Sequence, residues 1–184
     1  QHAPDSLQRR LAAFAAQQRA WLGDFAFFMA LKMHFGGGSW HAWPRDIRLR
    51  HNDALPRYQR LLAREVRYYT FLQWAFAEQW QALKQYAQER GVQIVGDIPI
   101  FVAEDSADVW ASPEQFQLDP EGAPTVVAGV PPDFFSATGQ RWGNPHYNWE
   151  RMREDGFQWW IGRVRRTLEL VDMVRIDHFR GFEA

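Results

Sequence analysis

Two short apolar runs, residues 92–95 and 170–176, finish beside aspartates, Asp97 and Asp177, and each follows a stretch with helical periodicity. That alternation constrains the fold more than any other feature. A helix that returns the chain to a second buried strand of the same direction is the β/α pattern, which builds parallel sheets. Before the first run, Leu61, Leu62, Tyr69, Leu72, Phe76, Trp80, Leu83 and Ala87 trace one apolar face of a helix expected over 57–90, with Gly91 placed to cap it. Before the second, Phe157, Trp160, Ile161, Val164 and Leu168 mark a helix expected over 150–170. The strands are expected at 92–95, closed by Gly96-Asp97, and at 171–177.

The rest of the chain reads around this frame. Leu7, Leu11 and Phe14, then Phe27, Met29-Ala30-Leu31 and Met33, predict helices over residues 6–35, divided near Gly23-Asp24. Gly36-Gly37-Gly38 reads as a helix stop; it follows a helix and lacks the Lys-Ser/Thr ending of a phosphate loop. Residues 40–56 are expected to be loop, with Pro44, Asn52-Asp53 and Pro56 as punctuation. Residues 99–148 are rich in Pro, Gly and Asp and too long for a passive connection, so they are expected to form a functional loop region.

Composition excludes several classes. With 184 residues, 46% hydrophobic and 23% charged, the chain has the makings of a folded core. A net charge of −1 argues against nucleic acid or an anionic membrane as partner. No apolar run approaches the ~18 residues of a membrane span. The absence of Cys removes disulfides and thiolate metal sites and fits a cytoplasmic location. His34 and His41 lack metalloprotease spacing, so neither a metal nor a cofactor is expected. Ten Trp and fourteen Phe exceed ordinary use. Most should serve the core; those in loops could stack on the flat faces of sugars.

The chemistry concentrates in Val174-Arg175-Ile176-Asp177-His178-Phe179-Arg180-Gly181-Phe182. Arg175, two residues before Asp177 on a strand, points the same way. Such a neighbour keeps a carboxylate ionised, as a nucleophilic carboxylate requires. By spacing alone a structural ion pair is the commoner explanation of the same pattern.

The longer motifs weigh against that bland explanation. Gly96-Asp97-Ile98-Pro99-Ile100-Phe101 through Asp108-Val109-Trp110, Gly129-Val130-Pro131-Pro132-Asp133-Phe134-Phe135-Ser136 through Arg141-Trp142-Gly143-Asn144-Pro145, and Arg175-Ile176-Asp177-His178-Phe179 closely resemble the amylomaltase (4-alpha-glucanotransferase) family of the α-amylase clan. The resemblance runs from about Leu7 onward. It implies an internal fragment of a (β/α)₈ TIM barrel with an inserted helical subdomain. Residues 1–56 would be part of that subdomain. Residues 57–184 would be part of the barrel, with 99–148 as its active-site loops.

The resemblance also implies roles. Asp177 would be the nucleophile of a retaining double displacement, and Arg175 its orienting partner. His178 would bind the sugar beside it, and Asp97 would sit in the sugar subsite touching the same Arg175, the alternative being a purely structural pairing of Asp97 with Arg175. The segment 126–144 would be a lid in which Phe134 and Trp142 stack on sugar and Asp133, Ser136 and Asn144 bind hydroxyls. Family members commonly carry Tyr where Phe134 stands, so that hydroxyl is missing. The acid/base carboxylate and a third carboxylate would lie beyond this chain; nothing places Glu183 in either role. The implied partners are maltodextrins and related α-1,4-glucans. A partial barrel would also expose strand edges open to self-association. Two readings from other classes compete: a non-catalytic α-glucan-binding piece, and a helical assembly fragment without ligand.

Overall fold

The computed structural model describes residues 4–134 and 136–182; Glu183 therefore lies outside the described residues. The chain is built as two compact units, residues 1–80 and 81–184.

The first unit is helical. Helix α1 is Asp5–Gln17 and α2 is Leu22–His34. The break falls at residues 18–21 rather than at Gly23-Asp24. Trp21 closes the turn there, donating its backbone N–H and its indole Nε1 to the carbonyl and side-chain oxygens of Gln18. Asp24 sits in the first turn of α2, where a carboxylate meets the positive end of the helix dipole, and it accepts from Arg50 Nη2 at 2.9 Å. Helix α2 buries Leu22, Ala26, Phe27, Phe28, Ala30 and Leu31, and stops before Gly36 and Gly37, as expected. Residues 40–56 are not loop throughout. They contain a 3₁₀ turn, Trp40–Ala42, a short helix α3, Arg45–Arg48, and the start of α4, Ala54–Leu61. Trp40, Trp43, Ile47 and Tyr58 are buried with the α2 face.

The single helix expected over 57–90 is two, α4 and the 26-residue α5, Ala63–Gln88. They part at Leu62, whose side chain is buried in the core while its backbone leaves helical geometry. The periodic stripe through Leu61, Leu72, Phe76 and Leu83 is exposed; Trp74 and Lys84 are the buried positions instead. Gly91 does cap α5. At φ +70° it donates to Gln88 O while Val92 donates to Ala87 O, the paired bonds of a Schellman ending.

That ending shifts the first strand. The Val92 N–H is spent on the cap and the Ile94 N–H goes to the Asp172 carboxylate, so strand β1 is Val95–Ile98 and contains Gly96 and Asp97. Helix α6, Ala107–Ala111, follows, started by Ser106 Oγ accepting from Val109 N–H. The expected loop region then holds an antiparallel pair, β2 (Val127–Val130) and β3 (Gln140–Pro145), with a slip in register between Val127 and Gly129.

The helix expected over 150–170 is also two: α7, Trp149–Glu154, and α8, Gln158–Leu170. Gly156 and Phe157, both at positive φ, turn the chain between them. Strand β4, Met173–Ile176, lies parallel to β1, pairing Val95 with Met173, Asp97 with Arg175 and Ile98 with Ile176. The parallel pairing agrees with the β/α reading. Among the described residues, no helix is long and apolar enough to cross a membrane.

Candidate active site

The parallel register sets Asp97 beside Arg175 at the C-terminal ends of β1 and β4. The guanidinium grips the carboxylate with two bonds, Nε to Oδ1 at 2.8 Å and Nη2 to Oδ2 at 2.6 Å. Planar fork-to-fork pairing of this kind fixes orientation as well as charge. Asp177, just past the strand, brings Oδ2 to 3.9 Å from the same Nη2. Its Oδ1 accepts the backbone N–H of His178 at 2.8 Å. The Asp97 bond, then the two carboxylate charges, hold Arg175 above the ordinary arginine range. The side chains are open to solvent, 57% exposed at Asp97, 64% at Arg175 and 84% at Asp177. Asp177 therefore keeps an accessible oxygen, and its fixed cation is shared with a second carboxylate.

Behind Asp177 the backbone turns sharply. His178 takes φ +49°, and a 3₁₀ turn, Phe179–Phe182, follows. Gly181 donates to His178 O. A Cβ at position 181 would stand 2.9 Å from Ile100 Cγ1 and 3.3 Å from His178 Cδ2, so a side chain here would push Ile100 aside, and glycine lets the turn lie close against the segment after β1.

An aromatic line flanks the carboxylates. Trp142, on β3, meets the His178 ring edge-on at 4.9 Å and lies 6.4 Å from Phe101. Its indole Nε1 donates to Gln140 Oε1, and 38% of the residue remains exposed.

The other expected site residues spread along the hairpin. Phe134 is 97% exposed at its tip. The tip is built by Asp133 and Ser136: Asp133 Oδ1 accepts the Ser136 N–H, and Ser136 Oγ donates to Gly139 O. Asn144 Nδ2 donates to Val102 O at 2.7 Å, which ties β3 to the segment after β1. So Asp97, Arg175, Asp177, His178 and Trp142 come together. Asp133, Phe134 and Ser136 form the hairpin end, and Asn144 anchors its base.

Sequence reasoning overlooked the residues underneath. Tyr147 is buried, donates to Ile100 O at 2.8 Å, and accepts from Arg163 Nη1 at 2.9 Å. Burial pushes its phenol up to about 12 against the pull of Arg163, so it stays a donor. Arg163 Nη2 donates to Pro99 O at 2.7 Å, with its guanidinium over the rings of Trp159 and Trp160. The available signal was a cation set between Trp160 and Val164 on an apolar helix face.

The family model described as 4-alpha-glucanotransferase, glycoside hydrolase family 77, matches residues 1–184. A 4-alpha-glucanotransferase of Thermus thermophilus is 57% identical over 173 residues, covering 94% of this chain and 35% of that protein. One from Synechocystis sp. is 52% identical over 180 residues, covering 97% and 36%. The structure of the amylomaltase from Streptococcus agalactiae in complex with acarbose superposes with a TM-score of 0.93 at 44% identity, covering 97% of this chain and 36% of that one. The chain thus spans about a third of the length of the relatives it matches. A family model that matches from end to end, with relatives at half identity or better, shows that this chain belongs to the 4-alpha-glucanotransferase family.

Proposed function

We propose that this chain is part of a 4-alpha-glucanotransferase that moves α-1,4-glucan segments between maltodextrins by a retaining double displacement. The observation that carries the reading is the Asp97–Arg175–Asp177 group at the ends of two adjacent parallel strands. Ligand-facing carboxylates at strand C-termini are the habit of barrel enzymes. On this reading residues 1–56 belong to a helical subdomain and 57–184 to a (β/α)₈ barrel. The apolar side chains left exposed at Val95, Met173, Ile161 and Leu168 favour it, since such surface is normally covered. A cytoplasmic location fits the same reading.

In the mechanism, an Asp177 oxygen attacks the anomeric carbon of the donor glucan. The glycosidic C–O bond breaks, and the leaving sugar oxygen takes a proton from an acid outside this chain. The hydroxyl of an acceptor glucan then attacks the glycosyl ester, loses its proton to that same group, and releases Asp177 as carboxylate. Arg175 keeps the local charge balanced, and Asp97 holds Arg175 in place. His178 and Trp142 form a wall for the sugar, with Phe134 reaching over it. Asp133, Ser136 and Asn144 supply polar atoms along the hairpin. The 184-residue chain alone is inactive on this reading. General acid/base catalysis contributes roughly 10²–10⁴-fold, and its carboxylate lies elsewhere.

The test uses a chimera in which residues 5–182 replace the matching segment of the Thermus thermophilus relative. A mechanism-based fluorosugar should label the chimera at Asp177 and leave Asp177→Asn unlabelled, as read by mass spectrometry. Label on another residue overturns the assignment. Acarbose binding by the chimera without label or transfer would make the segment a binding module instead.

A further inference from the structure

The segment after β1, residues 99–102, is held through its carbonyls. Pro99 O accepts from Arg163, Ile100 O from the Tyr147 hydroxyl, and Val102 O from Asn144, at 2.7, 2.8 and 2.7 Å. Arg163 also donates to the Tyr147 hydroxyl at 2.9 Å, so a single guanidinium on α8 governs two of the three anchors. This segment leads directly from Asp97, the grip on Arg175. It also carries Phe101, which stacks on Tyr147 at 5.9 Å, faces Trp142 and is neighbour to Gly181 of the turn behind His178.

We infer that Arg163 is a positioning residue: from beneath the site it fixes the segment after β1, and so sets both the Asp97–Arg175 pair and the Phe101–Trp142–His178 line. What it positions rests on the proposed function; that it positions does not. The guanidinium suits the task because its planar fork serves two acceptors in fixed directions, which an ammonium cannot do. Its stacking on Trp159 and Trp160 holds the fork in place from the α8 side.

Three variants test this: Arg163→Met, Arg163→Lys and Tyr147→Phe. In the 184-residue chain, amide exchange is measured by NMR together with the Trp142 indole N–H resonance. Losing one or two hydrogen bonds should speed exchange at the amides of Ile98, Ile100, Phe101 and Val102 by about fivefold to tenfold and displace the indole signal in Arg163→Met. Arg163→Lys should recover part of both. Exchange within residues 164–168 of α8 should not change. In the chimera described above, Arg163→Met should lower kcat by roughly 10–100-fold while leaving KM nearly unchanged, as small misplacements of reacting groups do.

A folded Arg163→Met with wild-type exchange and an unmoved indole overturns the inference, and so does wild-type kcat in that chimera. If Arg163→Met fails to fold, Tyr147→Phe, which removes one hydroxyl, is judged by the same readouts. If the chimera with the unaltered segment does not disproportionate maltotriose, the functional reading has failed, and the exchange data alone decide the inference.

Discussion

The two ends of the β1–β4 strand pair hold similar residues in opposite surroundings. At the N-terminal end, Lys84 from α5 donates to the carbonyls of Leu168, Glu169 and Val171, at 3.4, 3.2 and 3.0 Å, closing the C-terminus of α8. Asp172 beside it accepts from Ile94 N–H at 2.9 Å and Gln88 Nε2 at 2.7 Å, with Lys84 Nζ 3.7 Å away. These side chains are only 10% and 14% exposed. At the C-terminal end, Asp97, Arg175 and Asp177 are mostly exposed, and Asp177 has an oxygen to spare. A cation and carboxylates that saturate one another away from water join chain segments. The same groups left open to solvent can bind and react. Barrel enzymes divide their two faces in this way, with chemistry at the strand C-termini and stability at the other end.

The sharpest way to break the comparison is Asp177→Asn in the chimera. Glucan transfer should fall by roughly 10⁴-fold or more, as when a nucleophile is removed, with the thermal midpoint unmoved. A large fall in that midpoint would make the exposed end structural as well.

Lys84→Met is the reciprocal change. It leaves the carbonyls at the end of α8 without their donor in a nearly buried place and should cost about 1–3 kcal/mol in urea unfolding. Acarbose affinity in the chimera should stay within twofold of the unaltered protein by calorimetry, about 0.4 kcal/mol. Loss of affinity at unchanged stability would reverse the roles of the two ends.

Trp142→Ala should weaken acarbose binding in the chimera by about 0.5–1.5 kcal/mol, taking aromatic pair energies as the scale. Calorimetry beside a thermal melt separates this from unfolding. An unchanged affinity would remove Trp142 from the sugar wall.

The smallest effect concerns acid. The Ile94 N–H, then the Gln88 amide and Lys84, hold the Asp172 carboxyl below its ordinary 3.8. A depressed folded-state pKa adds stability that is fully present above the unfolded value and is lost as pH falls through the folded one. Urea midpoints should therefore drop below about pH 4 more steeply in the unaltered chain than in Asp172→Asn. Equal slopes would show that Asp172 is not a acid-sensitive part of the clamp.

Much of this molecule is legible in the order of its residues. The β/α alternation follows from apolar periodicity, since a helix and a strand bury different spacings of the same side chains. Gly91 announces its own cap, because only glycine takes φ +70° without strain. The motifs around Asp97 and Asp177 were sufficient for the family. Local patterns did not fix where elements begin and end. Strand β1 starts three residues late because Val92 and Ile94 give their N–H groups to α5 and to Asp172, a partner 78 residues away from Ile94. Helix breaks at Leu62 and at Gly156-Phe157 depend on where the core lies. The apolar stripe of α5 does not say what it will face, and here much of it faces solvent. The resemblance already set Asp97 against Arg175; the tertiary structure adds that the pairing is a two-bond fork with Asp177 at the longer distance, and only it brings Arg163 and Tyr147 beneath the site. The physical reason is that propensity and periodicity act over a few residues. A hydrogen bond between distant segments depends on how the whole chain packs.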